Sequence, residues 1–316
     1  MKNQMTPTAS VFADTRPPKK LALLNDLTGY GRCSLTVALP VISQLGVQCC
    51  PVPTAVFSNH TGYPTWHMTD CTPELTDYLA AWKELDFSFD GILTSFLGNQ
   101  AQAELIRQFL ADFKRENTLY ILDPAMGDNG RAYATCGGDI QESMRSLVSL
   151  ADVVTPNVTE ACILTGTPWR PDFSQKELVT LAQKLLSMGP KQVVITGIPR
   201  KSFIGNLCMT DKKHLTESIS SSEEYHIPEE KQVSLLRTRR VSKSRHGTGD
   251  LFSAILAAEL VKAPSPANAP FPSQEALTAA VKKASGFVRK CLLVSDACFL
   301  PEPEGVCFEK ILYQLR

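Results

Sequence analysis

Arg245-His246-Gly247-Thr248-Gly249-Asp250 stands directly ahead of the apolar run LFSAILAAEL. Two readings fit these residue types. A helix that starts here leaves its first amides without intrahelical partners, and Thr248 or Asp250 could cap them while the glycines make the turn. Alternatively, the amides of Gly247, Thr248 and Gly249 hold an anion at the positive end of the helix, with Asp250 beside it as a base. Four further polar clusters share one feature, a place just after an apolar run. They are NDLTGYG from Asn25, DPAMGD from Asp123, TPNVTE from Thr155, and Thr196-Gly197. Taken singly, DPAMGD also fits a strand-ending turn, and TPNVTE fits a helix cap with its reciprocal glutamate.

The elements that must position these clusters follow from the pattern of apolar residues. KLALLND reads as a first strand stopped by TGYG, and Leu35, Leu39, Ile42 and Leu45 give a helix over about 33–45. VQCCPVPTAV reads as a strand and FSNHTGYPTW as a polar loop, followed by a helix with Thr72 as its N-cap and Pro73 in the first turn. Strand and helix then alternate. FDGILTSFL, LYILDP, ADVVTPN and KQVVITG are strands, with helices over NQAQAELIRQFLADFKREN and about 139–150, 157–165 and 174–188. Two antiparallel strands, SFIGNLCMT and KQVSLLRTRR, flank a polar stretch within 210–232, and helices are expected over about 249–262 and 273–292. Helix-length crossovers between strands imply a three-layer α/β/α sandwich with a mostly parallel central sheet. Ligands in such sheets collect beyond the carboxyl ends of the strands, where the polar clusters fall.

Composition narrows the function classes. In 316 residues, 43% hydrophobic and 20% charged, Lys plus Arg equals Asp plus Glu at 32 each, so no overall field favours nucleic acid or an anionic membrane. No apolar stretch is long enough to span a bilayer or serve as a signal peptide. Ten scattered cysteines without a C-x-x-C pair point to reduced, mostly buried thiols. The expectation is a cytoplasmic protein with a flexible tail over 1–18 and one domain over 19–316.

GYGRCS resembles a degraded dinucleotide fingerprint, but the acid that should follow about 20 residues on is missing. The next acid after Asp26 is Asp70, and the chain has no Gly-Lys dipeptide for a Walker P-loop. FSNHTGY, LDPAMGD, TPNVTEACILTG, VVIT and GTGDLF, in that order, resemble the ribokinase-like superfamily and most closely its pyridoxal kinase branch. The likeness covers about residues 20–293. GTGD marks the superfamily, and FSNHTGY is specific to the vitamin B6 kinases.

The resemblance implies phosphoryl transfer from ATP to the 5'-hydroxymethyl group of pyridoxal, pyridoxine or pyridoxamine. Asp250 would take the hydroxyl proton, and the amides of Gly247, Thr248 and Gly249 would stabilise the moving phosphoryl group. Asn157 and Glu160 would organise Mg2+ through water, with Asp128 adding charge. Asp123, Thr155 and Thr196 match positions for a monovalent cation, K+ or Na+, and with Gly197 for the triphosphate. Asp26, Phe57, His60, Thr61, Gly62 and Phe96 would form the acceptor pocket. Family members are usually homodimers. The sequence departs from the branch at two points: Asp26 stands where a serine is common, and Phe96 where a tyrosine is common. Hydroxymethylpyrimidine kinases also carry an aspartate near Asp26, so that acceptor remains an alternative, as does a non-catalytic B6 or nucleotide sensor. A lone loop histidine such as His60 is more often structural than catalytic. Arg245 and His246 either shield phosphate or are solvated, and Cys33 and Cys136 read as packing residues.

Overall fold

Alternation along the central strands builds two cores at once. The computed structural model describes residues 16–211, 231–241, 245–264 and 271–315. In β1 (Lys20–Tyr30), Leu21 and Leu23 enter one apolar cluster while Ala22 and Leu24 enter the other. The same two-residue period recurs in β4 (Gly91–Thr94), β5 (Leu119–Leu122), β8 (Val153–Val154) and β9 (Gln192–Pro199). With β2 (Gln48–Asn59), β3 (Met68–Asp70), β10 (Phe203–Asp211) and β11 (Lys231–Arg239), these strands form one sheet in the order β11-β10-β9-β8-β5-β4-β1-β2-β3. The pairs from β2 through β9 are parallel, and the sheet turns antiparallel only at β3 and at β10 and β11.

One face of the sheet is covered by α2 (Thr72–Glu84), α3 (Gln100–Phe113), α4 (Gly138–Val148), α5 (Val158–Thr165) and α6 (Gln175–Leu186). The other carries α1 (Ser34–Gln44), α7 (Thr248–Lys262) and α8 (Gln274–Ala297). This is the expected three-layer sandwich. Helix α7 is buried nearly all round, wedged between the sheet, α1 and α8, which its almost unbroken apolar sequence requires.

Several boundaries differ from expectation. TGYG does not end the first strand: Leu27, Thr28 and Tyr30 pair with Val56, Phe57 and Asn59, past a register shift between Asn25 and Leu27. Polar residues can continue a strand when the ladder satisfies their backbone, and the bulge re-aims their side chains. FSN is likewise strand, not loop, and Met68–Asp70 pairs back on it. A small hairpin of β6 (Gly127–Asp128) and β7 (Arg131–Ala132) follows DPAM. The first helical residue of α2 is Thr72 itself, whose amide donates to Asp70 Oδ1 at 2.9 Å. Helix α8 runs on to Ala297, with Cys291 and Ser295 buried. The chain then packs Val306, Phe308, Ile311 and Leu315 into the α1/α7/α8 core. The tail over 1–15 and residues 212–230 of the polar stretch lie outside the described residues. All ten cysteines are free, six of them buried.

Candidate active site

The carboxyl ends of the parallel strands open on a cleft of about 1010 Å³. It lies near the topological switch, where β1 has β2 on one side and β4 on the other. Asp26, Phe57, His60, Thr61, Gly62, Phe96, Asp123, Asp128, Thr155, Asn157, Glu160, Thr196, Gly197 and the run Gly247 to Asp250 all line it. Residues more than 200 positions apart thus share one space.

At the start of α7 the capping alternative is not realised. Gly247 opens the helix with φ +78°, and no side chain caps the first amides. The Thr248 hydroxyl donates backward to the Arg245 carbonyl at 3.0 Å, and Asp250 Oδ1 receives Asn25 Nδ2 at 3.5 Å. Glycine is required at 247. A Cβ would stand 1.9 Å from the Arg32 carbonyl oxygen, in a left-handed backbone that side chains disfavour. Burial pushes the Asp250 carboxyl up to about 6; the Ser34 amide opposes the rise and the Asp26 charge adds to it. Asp123 is pushed up to about 7 by burial and then by the charge of Asp250, with the Ser253 hydroxyl opposing.

One side of the cleft is built at the β1 bulge. Asn25 Oδ1 accepts the amides of Asp26 at 3.0 Å and Phe96 at 3.2 Å, so its amino group is left to face Asp250. Asp26 is buried beside it and accepts the Thr28 hydroxyl at 2.7 Å. Phe57 packs edge-on against Phe96 at 5.6 Å and against Trp66 at 5.9 Å, forming an apolar wall. His60 stacks on His246 with centroids 4.1 Å apart. Its Nδ1 accepts the Gly62 amide at 3.1 Å and its Nε2 donates to the Pro303 carbonyl at 2.5 Å. The ring therefore ties two loops and the C-terminal segment together, with no free nitrogen for a ligand.

On the opposite side, the capping alternative for TPNVTE is realised. Asn157 Oδ1 accepts the Glu160 amide at 3.0 Å, Glu160 Oε2 accepts the Asn157 amide at 2.8 Å, and Asn157 Nδ2 donates to the Gly127 carbonyl at 2.7 Å. Glu160 Oε1 accepts the Met126 amide at 3.2 Å. The carboxyl is only 4% exposed, and burial, then the charge of Asp123, lifts its pKa well above the usual range. Asp128 is raised by burial too. Thr155, just past β8, is buried with its amide on the Leu122 carbonyl of β5 at 3.0 Å, and Thr196 forms a bridge with Asn157. Gly197 is left-handed at φ +64°, its amide on Asn206 Oδ1 at 3.2 Å. Among the described residues, no three His, Cys, Asp or Glu side chains form a closed metal cage. The donors here are hard oxygens whose charges oppose one another, which fits a divalent ion held through few protein ligands and water, as Mg2+ prefers.

A sequence profile described as phosphomethylpyrimidine kinase matches residues 37–295. The chain belongs to that family, within the ribokinase-like superfamily. It is 32% identical over 256 residues to a pyridoxal kinase of Ovis aries, covering 75% of each chain. It is 31% identical over 240 residues to a pyridoxine/pyridoxal/pyridoxamine kinase of Bordetella avium, covering 73% of this chain and 74% of that one. A crystal structure of a putative phosphomethylpyrimidine kinase from Bacteroides thetaiotaomicron, in a form with pyridoxal, superposes with a TM-score of 0.82 at 31% identity and covers 94% of this chain and 96% of that one.

Some cleft residues of this family member carry no signal in the sequence. Asn25 lay inside a noted cluster but gave no signal beyond being polar. Ser34 lay in GRCS; it is buried with φ +53°, and its amide and hydroxyl meet Asp250 and Asp26 respectively. Glu302 and Pro303 line the cleft from a C-terminal segment that carries no motif. Arg245 lines the cleft and is not a solvated residue. Its side chain is 7% exposed and holds the Leu300 and Pro301 carbonyls at 2.9 and 3.1 Å and Asp296 at 3.2 Å. Burial and the Asp250 charge push the Cys33 thiol up to about 12, so it is no nucleophile at neutral pH.

Proposed function

We propose that the protein transfers the γ-phosphoryl group of ATP to the 5'-hydroxymethyl group of a vitamin B6 form: pyridoxal, pyridoxine or pyridoxamine. The observation that carries this reading is the uncapped start of α7, where Asp250 and the first-turn amides face the same cleft as the Phe57–Phe96 wall. Asp250 accepts the hydroxyl proton as the acceptor oxygen bonds to the γ-phosphorus and the bond to the β-phosphate oxygen breaks, releasing ADP. The amides from Gly247 to Gly249 meet the charge that grows on the moving group. A carboxyl with a pKa near 6 is ionised at neutral pH and still basic enough to take that proton.

Around this step, Asp128, Asn157 and Glu160 would hold Mg2+, which screens phosphate charge when bound. Asp123, Thr155 and Thr196 would hold K+ or Na+, and Thr196 and Gly197 would meet the triphosphate. Asp26, Thr61 and Gly62 would contact the acceptor ring, while His60 would shape the loop that carries them. The reading includes a single kinase domain over 19–316, a homodimer and a cytoplasmic location. Among the described residues, no helix is long and apolar enough to cross a membrane.

The family profile and the carboxylate of Asp26 also favour hydroxymethylpyrimidine as a second acceptor. An ADP-release assay with ATP and Mg2+ against the three B6 forms and hydroxymethylpyrimidine separates these readings. Turnover of at least one B6 form above hydroxymethylpyrimidine is expected. Turnover of hydroxymethylpyrimidine alone would shift the assignment, and tight B6 binding without any ADP release would make the protein a sensor.

A further inference from the structure

Asp26 is an ionisable side chain 6% exposed, set at the β1 bulge and lining the acceptor side of the cleft. Burial raises the pKa of its carboxyl, while the Ser34 and Thr28 hydroxyls and its own amide favour the ionised form; among the described residues, no Lys, Arg or His is among the groups that act on it. The carboxyl that feels its charge, Asp250, is of the same sign. Asp26 raises the pKa of Asp250, and Asn25 links the two by accepting the Asp26 amide and donating to Asp250. A buried carboxylate held by hydroxyl donors but lacking a counter-charge is stabilised by whatever cation enters the space beside it.

We infer that Asp26 determines acceptor specificity by pairing with a protonated amine, making pyridoxamine the preferred B6 form. The inference rests on the kinase reading above. In a B6 acceptor the reacting 5'-hydroxymethyl and the 4' substituent sit on adjacent ring carbons. Asn25 holds the Asp26 backbone and the Asp250 carboxylate, so the two acids can meet the two substituents, Asp250 the alcohol and Asp26 its neighbour. At the 4' position pyridoxamine carries an ammonium at neutral pH, pyridoxine a neutral alcohol and pyridoxal a neutral carbonyl or hemiacetal. Only the first supplies the missing charge.

The test is kcat/KM for all three forms with the wild type, Asp26→Asn and Asp26→Ser, with thermal melts to establish folding. The wild type is expected to favour pyridoxamine over pyridoxine by about 10- to 100-fold, the range of a charge-assisted contact. Both substitutions are expected to bring that ratio near one, whatever they do to overall rate. Should either variant turn over too slowly to measure, fluorescence titration with pyridoxamine and pyridoxine reads the same ratio as relative affinity. Wild-type turnover with no pyridoxamine preference, or a preference that survives both substitutions, overturns the inference while leaving the kinase reading intact. Absence of wild-type turnover of any B6 form overturns both.

Discussion

The two ends of the cleft are built in different ways. On the side proposed for the nucleotide, Asn157 and Glu160 commit nearly all their hydrogen-bonding capacity to the start of α5 and to the turn over 126–127. On the acceptor side, Asn25, Asp26, His60 and Asp250 bind one another's segments across more than 200 residues of chain. The proposed function and local folding thus coincide at the first end, because the residues proposed to face phosphate also cap a helix. At the second end the site exists only after the sheet, α7 and the C-terminal segment have assembled. Substitutions on the acceptor side should therefore damage chemistry ahead of stability, and those on the nucleotide side should damage both together.

Asp250→Asn is the sharpest test of the first half of that contrast. The change keeps the shape and removes the base, so kcat should fall by about 10²- to 10⁴-fold. Folding should not suffer, because a carboxyl whose pKa burial has raised is one the fold would rather keep neutral. Steady-state kinetics beside a thermal melt reads both effects. A loss below about tenfold would remove Asp250 from the chemistry and with it the distinction drawn between the two ends.

Gly247→Ala lies at the seam and should affect both properties. The added methyl would collide with the Arg32 carbonyl, and the left-handed backbone adds strain, so a stability loss of about 1–3 kcal/mol is expected in denaturant titrations. The rate should fall as well, since relief of the clash must move the amides that follow. Wild-type stability in the variant would mean that the α7 start is looser than its contacts imply.

The unequal legibility of the two ends in the sequence has the same origin. Asn157 and Glu160 form a local pattern three residues apart, so TPNVTE announced a helix start, and the apolar periods announced the sheet. The role of Asn25 depends on Phe96 and Asp250, neither of which lies near it in the chain, and no local pattern could reveal it. The continuation of β1 through Thr28 and Tyr30 was hidden for a related reason. Polar residues there are kept in the strand by pairing with β2, a tertiary fact that strand propensity does not carry. The C-terminal segment shows the extreme case: Pro303 fixes His60 through a backbone carbonyl, which any residue type supplies.

Asn157→Ala probes the nucleotide side. Loss of the N-cap alone costs about 0.5–2 kcal/mol, and the bond to the Gly127 carbonyl goes with it. The variant should melt lower without ligands and show a raised KM for ATP, with KM for the B6 acceptor little changed. Equal effects on both KM values would dissolve the division of the cleft into two ends.

The last expected effect concerns the carboxyl that acts on Glu160 and is acted on by Asp250. Asp123 has a pKa near 7 in the folded chain against an ordinary value of 3.8, because burial and the Asp250 charge both disfavour its ionised form. Between those two values the folded state binds more protons than the unfolded state, so this group makes stability fall as pH rises from about 4 to about 7. Below that window the penalty is absent, and above it the penalty is complete. Asp123→Asn removes the titration, so its melting temperature should decline less than that of the wild type between pH 5 and pH 8, measured without nucleotide or divalent ions. The two curves should converge at the acid end and separate toward neutral pH, with the variant higher. Parallel curves would mean that Asp123 meets a compensating charge in solution, and the electrostatic link between the base and the nucleotide side would then have to be abandoned.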